Sequence, residues 1–209
     1  MKQLLKYRHK TMSDTMFVDK QCRHCNEVKP ARTHHCSVCK QCVFIMDHHC
    51  PWVNNCLGLD NLRYFLLFIF YLLVGLCYML MTLAVIRHSP IVNENKKLFS
   101  FIAILDLVLC LVLFGFNVWN WFLAMSGYST IEWWSECLQE SAPDKQHFSY
   151  CFNTVNDNLY KVFGTYKLIR ILSPSMRSLP FTGLEWSFLM RDLGYTQSGV
   201  KYLTDVEMT

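Results

Sequence analysis

A long stretch without charge dominates the middle of the chain. The run from Tyr64 to Ile86 reads YFLLFIFYLLVGLCYMLMTLAVI and contains no charged side chain. The hydrocarbon core of a bilayer requires about 20 apolar helical residues, and this run satisfies that length. Core helices of soluble proteins rarely extend so far without a charge. The run therefore predicts a membrane-spanning helix over 64–86.

A second apolar block runs from Leu98 to about Met125 and predicts another spanning helix over 98–125. It carries Asp106, Asn117 and Asn120, which are costly to place in lipid. Two interpretations are open: these side chains face a partner helix or a polar cavity, or Asp106 simply lies close to one membrane face. Two spans joined by a short link form a helical hairpin, so we expect both termini on the same side of the membrane.

Thiol chemistry, rather than loop charge, decides on which side the termini lie. The link between the blocks is itself basic, so the positive-inside rule does not settle the orientation. Seven of the eleven cysteines lie between Cys22 and Cys56, and Met1–Lys10 has no apolar signal segment. Free thiols that bind metal belong in a reducing compartment. We therefore expect both ends of the chain in the cytosol.

The cysteine-rich segment has the spacing of metal ligands. Repeated C-x2-C spacings with histidines among them comprise Cys22, Cys25, Cys36, Cys39, Cys42, Cys50, Cys56, His24, His34, His35, His48 and His49. Zinc prefers four tetrahedral cysteine or histidine ligands. So short a segment has little core of its own, so bound metal must supply much of its folding free energy. The segment therefore predicts structural zinc sites.

The number of cysteines in this segment leaves one thiol over. Two zinc sites, each with three cysteines and one histidine, use six of the seven cysteines. The spacing alone admits more than one partition: Cys50 can be the free thiol, or Cys50 can be a ligand while Cys22 or Cys56 is free.

Chemistry favours Cys50 as the free thiol. It directly follows Asp47, His48 and His49. A neighbouring imidazole lowers the pKa of a thiol and accepts its proton, and a carboxylate orients that imidazole. If the segment is extended, His48 and Cys50 point to one face and His49 to the other. His48 can then serve Cys50 while His49 turns to a metal.

These residues resemble the cysteine-rich domain of the DHHC family of protein S-acyltransferases, often called palmitoyltransferases. The matching positions are Cys22, Cys25, Lys29, Pro30, Arg32, His35, Cys36, Cys39, Cys42, Asp47, His48, His49, Cys50, Pro51, Trp52, Asn55 and Cys56. The resemblance covers roughly residues 15–175. It implies an integral membrane α-helical protein with a small cytosolic two-zinc domain.

The resemblance also implies a role for each matching position. One zinc ion is expected to be held by Cys22, Cys25, His35 and Cys42. The second is expected to be held by Cys36, Cys39, His49 and Cys56. Cys50 is then the nucleophile that accepts the acyl group, with His48 as its general base and Asp47 orienting His48. Both metals are expected to shape the fold without taking part in the chemistry.

Two later elements extend the resemblance. The family has a Thr-Thr-x-Glu element after its last span, packed near the catalytic Asp. Here the stretch is Ser129-Thr130-Ile131-Glu132, in which serine keeps the first hydroxyl. The family's C-terminal Asn-x3-Val-Phe-Gly element matches Asn158 to Gly164, and Asn158 is expected to bond to the spans. Basic residues near the interface, namely Arg63, Lys161 and Lys167, are candidates for contact with the phosphates of coenzyme A (CoA).

The chain departs from the family in its number of spans. Members usually have four spans, two of them before the cysteine-rich domain, and an Asp-Pro-Gly element that is missing here. Two helices alone do not enclose a long acyl chain. We therefore expect a truncated product, a fragment, or a form that needs a homo- or hetero-oligomeric partner. The competing hypothesis is an inactive, membrane-anchored zinc module that serves as a binding or dimerisation partner.

The expected organisation has five parts. They are a polar segment over 1–21, the zinc domain over 22–60, the spans over 64–86 and 98–125, and a cytosolic tail over 126–209. The expected function is transfer of a long-chain fatty acyl group from acyl-CoA through Cys50 to membrane-associated substrate proteins, in the endomembrane system (Golgi, ER or plasma membrane). The net charge of +4 is too small to indicate a nucleic-acid partner.

Overall fold

The computed structural model describes Tyr7 and residues 21–139, 150–175 and 178–193. Apart from Tyr7 and Gln21, the predicted polar segment 1–21 lies outside these residues. The same holds for 140–149, 176–177 and 194–209 of the predicted tail.

Two small β-hairpins build the cysteine-rich region. The first pairs β1 (His34–Cys36) with β2 (Gln41–Val43), and the second pairs β3 (His48–Cys50) with β4 (Asn55–Leu57), both antiparallel. Each strand has three residues. Isolated two-stranded hairpins are marginally stable in water, so this region depends on cross-links between its hairpins.

Two helices are long and apolar enough to cross a membrane. They are α1 (Leu62–Ile86), of 25 residues, and α3 (Lys96–Ser126), of 31 residues. Their mean hydropathies over the most apolar 18 residues are 2.4 and 2.7, and few of those residues are buried by protein. Both helices begin two residues earlier than the sequence predicts, at Leu62 and Lys96. The prediction followed the apolar run alone, whereas the first turn of a helix also accepts polar residues.

The predicted link between the two apolar helices contains a helix of its own. This is α2 (Pro90–Glu94), which begins with proline at its first position. The side chain of Ser89 accepts a hydrogen bond from the backbone N–H of Val92, which satisfies one donor at the helix start. Proline fits the first turn because its missing N–H has no partner there.

Three polar side chains within the apolar block of α3 are buried. Asp106, Asn117 and Asn120 are each less than a tenth exposed. Asn117 Nδ2 donates to the carbonyl oxygen of Ile69 on α1 at 2.9 Å. This burial favours the first interpretation given above, in which these side chains face a partner helix.

The remaining described helices follow α3 in the chain. They are α4 (Thr130–Gln139), α5 (Val155–Phe163), α6 (Leu168–Ile171) and α7 (Glu185–Asp192). The chain divides into two compact units. The described residues of Met1–Arg63 and Leu123–Thr209 form one unit, and Tyr64–Phe122 forms the other.

A hydrophobic core joins residues 181–190 to the cysteine-rich region. Its buried members are Ala31, Ile45, Phe181, Trp186 and Met190. Glu185, at the start of α7, is fully buried and accepts hydrogen bonds from Thr182 and from the backbone N–H of Gly183. These donors compensate the carboxylate for its lost hydration. Residues 178–193, to which the sequence assigned no role, therefore pack as part of this unit.

Candidate functional site

The first cluster of metal-ligating side chains lies between a turn and the first hairpin. Cys22 and Cys25 come from the turn, while His35 and Cys42 are opposite each other in the β1–β2 register. The Cys25 sulfur lies 3.2 Å from His35 Nδ1 and 3.8 Å from the Cys42 sulfur. All four ligand atoms lie within 4.8 Å of one another.

The second cluster joins the turn after β1 to the second hairpin. Its members are Cys36, Cys39, His49 and Cys56, and His49 is opposite Cys56 in the β3–β4 register. His49 Nδ1 lies 3.7 Å from the Cys36 sulfur and 3.4 Å from the Cys39 sulfur. The Cys56 sulfur lies 3.4 Å from that of Cys39.

Both clusters have the size of a tetrahedral zinc site. Bonds of about 2.3 Å to sulfur place tetrahedral ligand atoms about 3.8 Å apart, close to the separations between the ligand atoms of each cluster. Three cysteines and one histidine are a donor set that zinc accepts. The two clusters can therefore hold metal ions, and they bring together the two ligand sets that the resemblance implies.

Interleaving of the two ligand sets ties the hairpins together. His35 and Cys36 are neighbours on β1, yet each belongs to a different cluster. Two ions bound there would supply the cross-links that the three-residue strands lack.

Cys50 belongs to neither cluster. It lies on β3, is 3% exposed, and is the one cysteine between Cys22 and Cys56 outside both ligand sets. Burial acts to raise the pKa of Cys50, but the backbone N–H of Val53 and the imidazole of His48 outweigh it and hold the pKa below its ordinary value. A thiol with a lowered pKa is a better nucleophile at neutral pH.

The extended strand β3 separates the two histidines. His49 points to the second metal cluster, and His48 lies by Cys50. This is the arrangement expected if the segment is extended, since alternate side chains of a strand point to opposite faces.

A buried carboxylate holds the imidazole of His48. Asp47 Oδ2 lies 2.6 Å from His48 Nδ1, and Asp47 is 3% exposed. This hydrogen bond raises the pKa of His48 above its ordinary value, against the effect of burial. With Nδ1 occupied by the carboxylate, Nε2 is the nitrogen left to exchange a proton with Cys50.

The start of α4 holds the Asp47 carboxylate. Thr130 donates its backbone N–H to Oδ1 and its hydroxyl to Oδ2. Ser129 and Glu132 form a reciprocal capping pair: the Ser129 N–H donates to Glu132 Oε2 at 2.8 Å, and the Glu132 N–H donates to Ser129 Oγ. Ser129 therefore makes the capping hydrogen bonds with Glu132 at the position where the family has threonine.

Glu132 is in turn held by Arg32. The guanidinium donates to both carboxylate oxygens, at 2.5 and 2.7 Å, in a bidentate pair. Burial acts to raise the pKa of Glu132, but Arg32 outweighs it and lowers that pKa. The sequence marked Arg32 as part of the resemblance but did not predict this contact, which spans 100 residues of chain.

Asn158 joins α5 to the end of α3. Its Nδ2 donates to the carbonyl of Met125 at 2.9 Å, and its Oδ1 accepts from the N–H of Phe152 at 2.8 Å. A Cβ on Gly127 would lie 2.4 Å from Asn158 Oδ1, and the φ of Gly127 is +86°. Only glycine fits this turn without strain.

Three further predicted residues have contrasting positions. Trp52, two residues after the candidate nucleophile, is 93% exposed, so its indole is open for contact. Lys161 and Arg63 are buried instead, and Lys161 donates to the carbonyl of Gly127. The expectation that Lys161 contacts CoA phosphates is therefore wrong, because its amine is turned inward.

Comparison with known proteins identifies the family that the cysteine-rich segment resembles. The DHHC palmitoyltransferase family matches residues 16–137 of the chain. Palmitoyltransferase ZDHHC15 of Xenopus laevis is 36% identical over 151 residues, which are 68% of this chain and 43% of the relative. Palmitoyltransferase ZDHHC15 of Homo sapiens is 34% identical over 185 residues, covering 85% of this chain and 52% of the relative.

A plant protein is also similar to this chain. The probable protein S-acyltransferase 14 of Arabidopsis thaliana is 40% identical over 120 residues, which are 53% of this chain and 38% of the relative. The chain spans about half the length of the curated relatives it matches. With a family match over more than half of its length and both metal-ligand clusters in place, the chain belongs to the DHHC palmitoyltransferase family.

Proposed function

We propose that this chain is a membrane-embedded protein S-acyltransferase that carries a fatty acyl group on Cys50. One observation carries the proposal: Cys50 is left out of both ligand clusters and lies beside the Asp47–His48 pair. A thiol that is not a metal ligand and lies next to an oriented imidazole is suited to nucleophilic catalysis.

The first step is transfer of the acyl group to the protein. His48 accepts the proton of Cys50, and the thiolate attacks the thioester carbonyl of a long-chain acyl-CoA. The new carbon–sulfur bond forms at Cys50, and the bond to the CoA sulfur breaks. CoA leaves as a thiolate and takes up the proton held by His48, so the imidazole returns to its neutral form.

The second step regenerates the enzyme. A thiol of a substrate protein near the membrane gives its proton to His48 and attacks the acyl-Cys50 carbonyl. The acyl group moves to the substrate, and the proton returns to the Cys50 sulfur. Asp47 stabilises the imidazolium formed in each step, as a carboxylate does in hydrolase triads.

Two zinc ions bound by the clusters would act as structural cross-links. They would hold the β3 strand in place, and thereby His48 and Cys50 on one face of it. They need not contact the acyl donor, since Cys50 lies outside both ligand sets.

The apolar helices support a membrane location for this chemistry. We propose that α1 and α3 span the bilayer, because each contains an uncharged or nearly uncharged stretch of sufficient length. The cysteine-rich region and the tail would then lie in the cytosol, in a membrane of the Golgi, the ER or the plasma membrane. The fatty chain of the donor partitions into the bilayer, which brings its thioester to the interface.

Metabolic labelling tests the proposal. Cells expressing the chain are given a clickable palmitate analogue, and label that hydroxylamine removes is measured on the purified protein. Wild type should carry such label, and Cys50→Ser should lose it. Cys151→Ser, which changes a cysteine remote from both clusters in sequence, is the matched control and should keep the label on Cys50.

The zinc content separates loss of chemistry from loss of fold. Cys50→Ser should retain two zinc ions per chain, because Cys50 is in neither ligand set. Equal hydroxylamine-labile labelling of wild type and Cys50→Ser would contradict the proposal and favour an inactive zinc module.

A further inference from the structure

The guanidinium of Arg32 contacts two aromatic rings. Its Cζ is 5.0 Å from the ring centroid of Tyr150 and 5.0 Å from that of Trp186. Trp186 is 1% exposed and lies on α7, and the Arg32 side chain is 1% exposed. The attraction between a guanidinium and an aromatic ring is stronger when the cation is desolvated than when it is exposed.

Arg32 reaches the reactive pair by a chain of side-chain contacts. It holds both oxygens of Glu132, and Glu132 caps Ser129 at the start of α4. The next residue, Thr130, donates two hydrogen bonds to Asp47. Each link is a hydrogen bond or ion pair of good length between buried or half-buried groups.

The backbone of Arg32 makes a second connection, to the residue that precedes Asp47. Its carbonyl accepts from the N–H of Met46, the residue before Asp47, at 3.2 Å. The φ of Arg32 is +63°, a conformation that non-glycine residues adopt only when their surroundings enforce it. One enforcing contact comes from α7, where Ser187 Oγ accepts the N–H of Ala31 at 2.8 Å.

We propose that Trp186 of α7 is a positioning residue for the Asp47–His48–Cys50 group, acting through Arg32. Trp186 and Tyr150 fix the plane of the guanidinium, the guanidinium fixes Glu132, and α4 then presents Thr130 to Asp47. This inference rests on the proposed acyl transfer for its functional meaning. The family match ends at residue 137 and includes neither aromatic residue.

The reactivity of Cys50 measures whether Trp186 positions the Asp47–His48–Cys50 group. Full-length, zinc-loaded protein in membranes is treated with iodoacetamide, and the alkylation rate is measured on the Cys50 peptide by mass spectrometry. Trp186→Leu should lower this rate about tenfold or more, since small misplacements of catalytic groups have effects of that size. Trp186→Phe keeps a ring over Arg32 and should restore most of the rate.

Phe188→Leu is the matched control for lost packing. Phe188 lies on the same helix, is 2% exposed, and stacks on Tyr7 rather than on Arg32. It should alkylate at the wild-type rate, and all three variants should keep two zinc ions. A rate for Trp186→Leu equal to wild type, or an equal fall in Phe188→Leu, would overturn the inference.

A second pair of variants tests the inference in case Trp186→Leu does not fold. Tyr150→Leu removes the second aromatic ring that contacts Arg32 and should slow alkylation of Cys50, while Tyr150→Phe should not. Equal rates in this pair would count against the inference. Because alkylation needs no acyl donor, wild-type protein without acyl label but with a Trp186-dependent rate would refute the proposed function alone.

Discussion

Thr130 holds both oxygens of the Asp47 carboxylate. Its backbone N–H donates to Oδ1 at 2.8 Å, and its hydroxyl donates to Oδ2 at 2.9 Å. The same Oδ2 lies 2.6 Å from His48 Nδ1. A segment that follows the second apolar helix thus orients the carboxylate that orients the candidate base.

Loss of the Thr130 hydroxyl should slow acyl loading. Thr130→Val removes one of the two hydrogen bonds, with a net value of about 1 kcal/mol, so we expect a rate about fivefold lower. Initial rates of hydroxylamine-labile labelling measure this effect. Thr130→Ser retains the hydroxyl and should stay near wild type. A wild-type rate in Thr130→Val, or equal losses in both variants, would refute the assignment.

Asp47→Asn should have a larger effect. The amide leaves His48 in the wrong tautomer and without a counter-charge, and the equivalent change in hydrolase triads costs about 10⁴-fold. We expect acyl loading to fall by at least about 100-fold while two zinc ions remain bound. Labelling rates and zinc content are measured on the same sample. Substantial loading by Asp47→Asn would show that the carboxylate does not support His48.

Removal of metal should expose six thiols. With zinc bound, one of the seven cysteines between Cys22 and Cys56 should react with a thiol reagent, because the other six are ligands. After treatment with a strong chelator under denaturant-free conditions, all seven should react. Mass spectrometry of the alkylated peptides identifies each one. If Cys50 is protected before chelation and another cysteine reacts, the partition of ligands is wrong.

The buried amine of Lys161 predicts a pH dependence of stability. Burial and the neighbouring Arg32 lower the pKa of Lys161 to about 7. The unfolded chain therefore binds more protons than the folded chain between that pH and about 10.5. Stability conferred by the neutral amine should be present at high pH and lost as the pH falls toward 7.

Lys161→Met isolates this contribution. The free energy of unfolding of wild type relative to Lys161→Met should rise with pH between about 7 and 9.5, by no more than about 1.4 kcal/mol per pH unit. Thermal or denaturant unfolding in detergent at several pH values measures the difference. A difference independent of pH over that range would mean that Lys161 is charged in the folded protein.

Gly127→Ala should destabilise the turn after α3. The new Cβ would lie 2.4 Å from Asn158 Oδ1, at a φ of +86°. Alanine at a positive φ costs more than about 1 kcal/mol, so we expect the unfolding temperature to drop by several degrees. Gly115→Ala is the control, since a Cβ there meets no atom within 4 Å. Similar losses in both variants would remove the steric explanation.

Some features could be predicted because their signal is local. The short helix α2 is marked by a serine cap and a proline, a signal that sequence reasoning could have used but did not. The position of His48 beside Cys50 follows from the alternation of a strand, and it needs only that residues 48–50 are extended.

Other features have no local signal. Arg32 and Glu132 lie 100 residues apart, and Ala31 and Ser187 lie 156 residues apart. Nothing in the neighbourhood of Trp186 marks it as a partner of Arg32, because an aromatic residue in a short amphipathic helix is ordinary core. The inward turn of Lys161 was missed for the same reason: its surroundings are assembled from distant segments.

Residue identity and spacing were enough to recognise the family and the two apolar helices, and the resemblance then implied the candidate metal ligands and the candidate nucleophile. These depend on short-range chemistry: two ions need eight ligands, and a bilayer needs a run of apolar side chains. Only the tertiary structure decided which residues support the Ser129–Glu132 element, since Arg32 meets Glu132 and Trp186 through contacts across the folded chain. Such contacts depend on packing of surfaces far apart in sequence, which no local pattern encodes.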